Sequence, residues 1–120
     1  RSDSLGIQAL QQAGIQTLVL SAETNQAVTA RCKKINLPVL QGAKDKAPIL
    51  KAYLEEHGIN PAEVVYMGND DNDVACFPLV GCAVAVADAQ RNAIRSADIV
   101  LSRNGGYGAV RELCDMLLHC

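Results

Sequence analysis

Strand-like and helix-like segments alternate along the whole chain, which predicts an α/β fold: a three-layer Rossmann-like sandwich around a mainly parallel sheet. Three observations carry this. Five short apolar runs are nearly continuous rather than alternating, as strands are when both faces of a sheet are covered. Segments with helical spacing separate them. The composition is 49% hydrophobic with no Trp and a single Phe, so the core is aliphatic, as is common in layered α/β proteins. A length of 120 residues suits one compact domain, and residues 1–120 are read as one.

The elements follow in order. A helix over 3–13 carries Leu5, Ile7, Ala9 and Leu10 and stops at Gly14. The first strand is "TLVLSA" at 17–22, and a helix over 24–35 starts from a Thr24 cap. "PVLQG" at 38–42 is the second strand. A third helix opens near Asp45, tolerates Pro48 in its first turn, and places Ile49, Leu50, Tyr53 and Leu54 before Gly58. "NPAE" at 60–63 turns the chain into the strand "VVYMG" at 64–68. A short helix then runs to about Leu79, followed by the strand "CAVAVAD" at 82–88 and a helix over 89–96. The strand "DIVLS" at 98–102 and a helix over 106–118, with Val110, Leu113, Cys114 and Leu117 on one side, complete the pattern. In such folds the ligand site lies at the carboxyl ends of the strands.

Net charge is −2 with a pI near 5.6, and the eleven Lys and Arg residues are scattered, which argues against nucleic-acid binding. No apolar run reaches the roughly 18 residues of a membrane span, and no signal peptide opens the chain. The five cysteines lack a C-x-x-C pair and mostly sit among apolar neighbours, so they read as reduced packing residues of a cytoplasmic protein. His57 and His119 lie near no paired ligands, which argues against zinc.

"VVYMGNDDND" ends an apolar run in an acidic cluster, Asp70, Asp71 and Asp73, interleaved with Asn69 and Asn72. Like charges this close repel, and folding alone does not require them. A helix cap would use one Asp and one Asn. The surplus of hard oxygen donors suits Mg²⁺ or a phosphate-associated cation. Ser21 stands where a strand meets a helix start, able to hold phosphoryl oxygens or simply to cap. Lys46 opens a helix, where the dipole disfavours a cation, so it reads either as a solvated lysine or as a functional one. Arg31, beside Lys33 and Lys34, reads as a solvated basic face or a ligand contact. Asp88 reads as a cap for the helix over 89–96. The Gly-rich "RNGGYGAVRE" supplies tight turns, with substrate coverage or a subunit contact as the alternative.

Ser21, Lys46 and "GNDDND", following successive strands, resemble motifs two, three and four of the haloacid dehalogenase superfamily of phosphohydrolases. "RCKKINLPVLQGAKDK", "VVYMGNDDNDVACF", "AVAVADA" and "GGYGAVRELCDMLL" are similar to its cap-lacking 3-deoxy-D-manno-octulosonate 8-phosphate phosphatase subfamily. "GND" and "SAE" bring the chain nearest to the phosphatase-like module of bacterial acylneuraminate cytidylyltransferases and to nonulosonate 9-phosphate phosphatases. The resemblance implies Mg²⁺-dependent phosphoryl transfer to an aspartate, then hydrolysis of the acyl phosphate, on a small-molecule sugar-acid phosphate. It implies that Ser21 binds phosphoryl oxygens and that Lys46 neutralises the phosphate and orients the nucleophile. Asn69 takes the place of a metal-binding carboxylate, with Asp70 or Asp73 supplying charge. Arg31 matches an arginine that helps hold the sugar acid, Asp3 matches the acid of an R-D-G segment at the substrate edge, and Glu23 replaces an arginine there.

The family's D-x-D-G nucleophile strand, which lies beside the strand ending at Ser21, has no counterpart here. The expectation is therefore a trimmed piece of a longer protein, inactive without its nucleophile. The resemblance also implies homotetramers. An alternative from another class is a non-catalytic assembly module fused to a cytidylyltransferase, which Asn69 and Glu23 favour. A receiver-like domain of flavodoxin type shares the layer order but gives no reason for Lys46 to follow "QG".

Overall fold

The strands that form are shorter than the apolar runs that announce them, because a ladder exists only where a neighbour lies in register. The computed structural model describes residues 2–22, 24, 26–105 and 108–119. β1 (Val19–Leu20) pairs in parallel with β2 (Val39–Leu40), with Val19 opposite Val39. Bonds from Val19 N to Pro38 O and from Ser21 N to Leu40 O extend this pairing slightly beyond the ladder. β3 (Val65–Gly68), β4 (Cys82–Ala85) and β5 (Ile99–Val100) form a second parallel sheet in that order, with Val65 opposite Cys82 and Val84 opposite Ile99. The single sheet expected from the sequence is thus two parallel ladders among the described residues.

The pleat sends alternate residues of β3 and β4 to opposite faces. Tyr66 and Ala83 join Leu50 and Leu54 of α3 (Lys46–Glu56), Cys76 and Phe77, and Ala93 of α5 (Arg91–Ser96) in one core cluster. Val84 and Val86 join Leu101 and Ala109 in the other, with Val65, Met67 and Leu113 packed against it. Ala109 and Leu113 belong to α6 (Ala109–Leu118), so helices cover both faces and three layers result. Leu20 of β1 packs against the first cluster, which binds the two-stranded ladder to the same core.

α1 (Ser2–Gln12) packs on α6. Its contact face differs from the apolar pattern: Leu5 is 54% exposed, and the approach is made at Gly6, where an added Cβ would lie 3.0 Å from both Arg111 Cδ and Cys114 Cβ. Leu10 is buried one turn later. The face therefore runs through positions 3, 6 and 10, helical neighbours by geometry, which brings Asp3 to the start of α6.

α2 spans Gln26–Lys34, and Asn25, between Thr24 and its first described residue, lies outside the described residues, as does the junction at which the Thr24 cap is expected. Pro48 lies in the first turn of α3, and Asn60 accepts a bond from Ala62 N at 3.1 Å in the turn at 61–63. α4 (Asp71–Val74) is a single turn, followed by a 3₁₀ turn over Phe77–Leu79. Asp88 does not cap α5, whose N-cap is Gln90; its Oδ1 accepts a bond from Gly105 N at 2.8 Å. Cys32, Cys76 and Cys114 are buried and, like the half-buried Cys82, carry no disulfide; Cys120, Gly106 and Tyr107 lie outside the described residues.

Candidate active site

The helix α3 leaves the carboxyl end of β2 and α4 leaves that of β3, so the first residues of both helices belong to the strand ends where ligands bind in parallel sheets. Lys46, first residue of α3, directs its ammonium to Asp73, third residue of α4, with Nζ 2.9 Å from Oδ1. The side chains are 12% and 2% exposed, so the pair is largely withdrawn from water. A cation at a helix start is opposed by the helix dipole, and this carboxylate offsets that cost.

Asp73 is loaded on both oxygens. Oδ1 also accepts from the Tyr66 hydroxyl at 2.5 Å, a length expected when the acceptor is ionised. Oδ2 accepts from the backbone N–H groups of Asn69 at 2.9 Å and Asp70 at 3.0 Å. Asp73 thereby caps its own helix from the third position, reaching back over Gly68. A Cβ on Gly68 would fall 2.4 Å from Asp73 Cβ, so the close approach requires glycine there. Burial pushes the Asp73 carboxyl up, but the bonds from Tyr66, Lys46, Asn69 and Asp70 outweigh it and hold the group below its ordinary range. Burial, then the bond to Asp73, drives the Tyr66 hydroxyl far above its ordinary value. Burial likewise raises the Cys76 thiol beside them, which stays protonated.

The remaining expected site residues divide clearly. Ser21 follows β1 half-buried, and its carbonyl accepts from Ala43 N at 3.0 Å in the loop that delivers Lys46. Asn69 and Asp70 are exposed just beyond β3, and Asn69 O accepts from Gln90 N at 2.8 Å, tying the acidic turn to the loop after β4. Asp3 is engaged by protein: its Oδ1 accepts from Arg111 N at 3.0 Å, capping α6. Arg31 is exposed in the last turn of α2. Glu23 lies outside the described residues.

The turn fits part of a Mg²⁺ site. Asn69 and Asp70 present oxygens to solvent, but the acceptor sites of Asp73 are taken by four donors, so Asp73 does not fit as a ligand, contrary to expectation. Among the described residues no group of three or more His, Cys, Asp or Glu side chains is placed to hold a metal. Sequence reasoning passed over Tyr66, which reads as one more apolar residue of "VVYMG". The available signal was its hydroxyl, which needs a partner when its strand is buried.

The family model of haloacid dehalogenase-like hydrolases matches residues 7–113. The chain belongs to the haloacid dehalogenase-like hydrolases. Within them it falls in the 3-deoxy-D-manno-octulosonate 8-phosphate phosphatase-like subfamily. It is 37% identical over 117 residues to the 3-deoxy-D-manno-octulosonate 8-phosphate phosphatase of Escherichia coli K12, covering 97% of this chain and 62% of the relative. The chain thus spans under two thirds of the length of that curated relative. The cobalt-bound deoxy-D-mannose-octulosonate 8-phosphate phosphatase of Haemophilus influenzae superposes with a TM-score of 0.94 at 33% identity, over 98% of this chain and 70% of that one. The Moraxella catarrhalis enzyme, in complex with a magnesium ion, a phosphate ion and 3-deoxy-D-manno-octulosonate, gives 0.95 at 29% identity, over 98% and 68%. The haloacid dehalogenase-like fold therefore holds across essentially all of this chain.

Proposed function

We propose that the protein containing this chain is a Mg²⁺-dependent phosphatase that hydrolyses the phosphate monoester of a sugar acid, nonulosonate 9-phosphate or octulosonate 8-phosphate. The observation that carries the reading is the Lys46 ammonium, held by the largely buried Asp73 at the start of two helices that follow strand ends. An ammonium carries three N–H donors and the bond to Asp73 uses one, so charge and donors remain for phosphoryl oxygens. The Ser21 hydroxyl binds a second oxygen of the same group. The nucleophile is an aspartate outside these 120 residues. It attacks phosphorus, the sugar leaves with a proton on its ester oxygen, and water then cleaves the acyl phosphate. β1 and β3 each have one edge unpaired among the described residues, which suits a further strand bearing that aspartate.

Mg²⁺ would be held by Asn69 and Asp70 with carboxylates outside this chain, and when bound it supplies positive charge against the phosphate. Asp73 serves Lys46 instead. In this reading residues 1–120 are one domain of a cytoplasmic homotetramer. Arg31 and Glu23 meet the sugar acid, and Asp3 belongs to the framework of that edge. The test is phosphate release from both substrates by the intact protein, with and without Mg²⁺. The expected result is Mg²⁺-dependent release, reduced by about 100-fold or more in Lys46→Met. No release from either substrate rejects the proposal.

A second reading, a non-catalytic assembly module fused to an acylneuraminate cytidylyltransferase, is favoured by Asn69, an amide where a metal-binding carboxylate would carry charge. It expects no turnover, and loss of the cytidylyltransferase oligomer when this domain is deleted.

A further inference from the structure

Burying a tyrosine hydroxyl is unfavourable unless it is hydrogen-bonded, and a phenylalanine would fill the same strand position without that requirement. Tyr66 is 9% exposed, and its hydroxyl meets the Asp73 oxygen that also receives the Lys46 ammonium. We propose that Tyr66 is a positioning residue: by donating to Asp73 Oδ1 it fixes the plane of that carboxylate, and through it the direction in which the Lys46 ammonium points. The inference rests on the reading of Lys46 as the cation that faces phosphate.

The argument is one of relative stiffness. The terminal torsion of an aspartate is broad, and a lysine ammonium rides on a flexible four-carbon stem, so neither partner orders the other well. The amides of Asn69 and Asp70 hold Oδ2. Holding the carboxylate at one oxygen leaves rotation about that anchor, and a second fixed donor at Oδ1 removes it. Tyr66 is suited to this, because two torsions place its ring and the ring is clamped. Phe77 meets it edge-on, with centroids 6.0 Å apart and planes at 68°, and Leu50, Leu54 and Ala83 belong to the same cluster. The hydroxyl stays protonated through the neutral range, so it acts there as a donor.

The test compares three forms of the intact protein: unsubstituted, Tyr66→Phe and Leu101→Val. Tyr66→Phe removes the hydroxyl and keeps the ring; Leu101→Val loosens the core cluster on the opposite face of the sheet and leaves the tyrosine and its clamp in place. Phosphate release gives kcat and KM, and nuclear magnetic resonance of ¹³Cε-labelled lysine, with Lys46 assigned by its loss in Lys46→Met, reports the ammonium's surroundings. Tyr66→Phe is expected to lower kcat by about tenfold or more, with KM changed by less than about twofold, and to move the Lys46 signal. Leu101→Val is expected to leave both near the unsubstituted values. Unchanged kcat and an unmoved Lys46 signal in Tyr66→Phe overturn the proposal, as does equal loss in Leu101→Val. If the unsubstituted protein releases no phosphate, the functional reading fails, and the lysine signal decides this inference: a shift confined to Tyr66→Phe supports it, and no shift overturns it.

Discussion

Asp73 joins a local force to a long-range one: from one side chain it caps its own helical turn and holds a cation 27 residues away in sequence. Its carboxyl lies below the ordinary 3.8, so the folded state binds that proton less tightly than the unfolded chain does. The resulting stability is complete above pH 3.8 and is lost as pH falls through the lower folded value. Tyr66 has the opposite sense: the folded state holds its proton more tightly, so its contribution is complete below the ordinary 10.0 and declines as pH rises above it. Urea midpoints measured from pH 2 to 11 are expected to fall at both ends, and Tyr66→Phe is expected to flatten the alkaline fall. Gly68→Ala forces a methyl into the Asp73 side chain and is expected to cost about 1–3 kcal/mol, read by the same titrations. Lys46 was legible in the sequence because a cation at a helix start needs an explanation. Which of three neighbouring acids it would meet was not, since Asp70, Asp71 and Asp73 differ only once the chain turns and buries the last.

At the scale of elements, carboxylates hold backbone amides across gaps in the chain. Asp3 caps α6 from α1, Asp88 holds Gly105, and Glu112 accepts from Ser102 N and Arg103 N at 3.1 and 2.9 Å. The last of these, led by the Ser102 amide, keeps the Glu112 carboxyl below its ordinary range. Asp3→Ala is expected to cost about 1 kcal/mol, the usual value of a lost helix cap, and to speed hydrogen exchange at the Arg111 amide. If that amide exchanges at an unchanged rate, the cap carries no weight. Helix order and most turns could be read from apolar spacing and from Gly and Pro. The packing face of α1 could not, because it uses a glycine for close approach while Leu5 stays exposed.

Across the whole molecule, the Lys46–Asp73 bond spans from the element after β2 to the element after β3, so it links the two ladders at the proposed site. Within the acidic turn both oxygens of the buried Asp73 are met by protein donors, while the buried Asn72 Oδ1 has no partner among the described residues. Removing divalent metal with a chelator is therefore expected to abolish phosphate release by the intact protein while leaving the thermal midpoint within a few degrees. A collapse of the midpoint would mean that the turn is built around the ion. From the residue string alone came the alternation of strands and helices, the aliphatic core and the three motifs, because periodicity and local turn chemistry act between near neighbours in the chain. Folding in three dimensions was needed to split the strands into two ladders, to spend Asp3 on a helix end, and to bring Tyr66 and Lys46 onto one Asp73 oxygen. Those outcomes depend on contacts between distant segments, and such contacts are set by packing rather than by spacing.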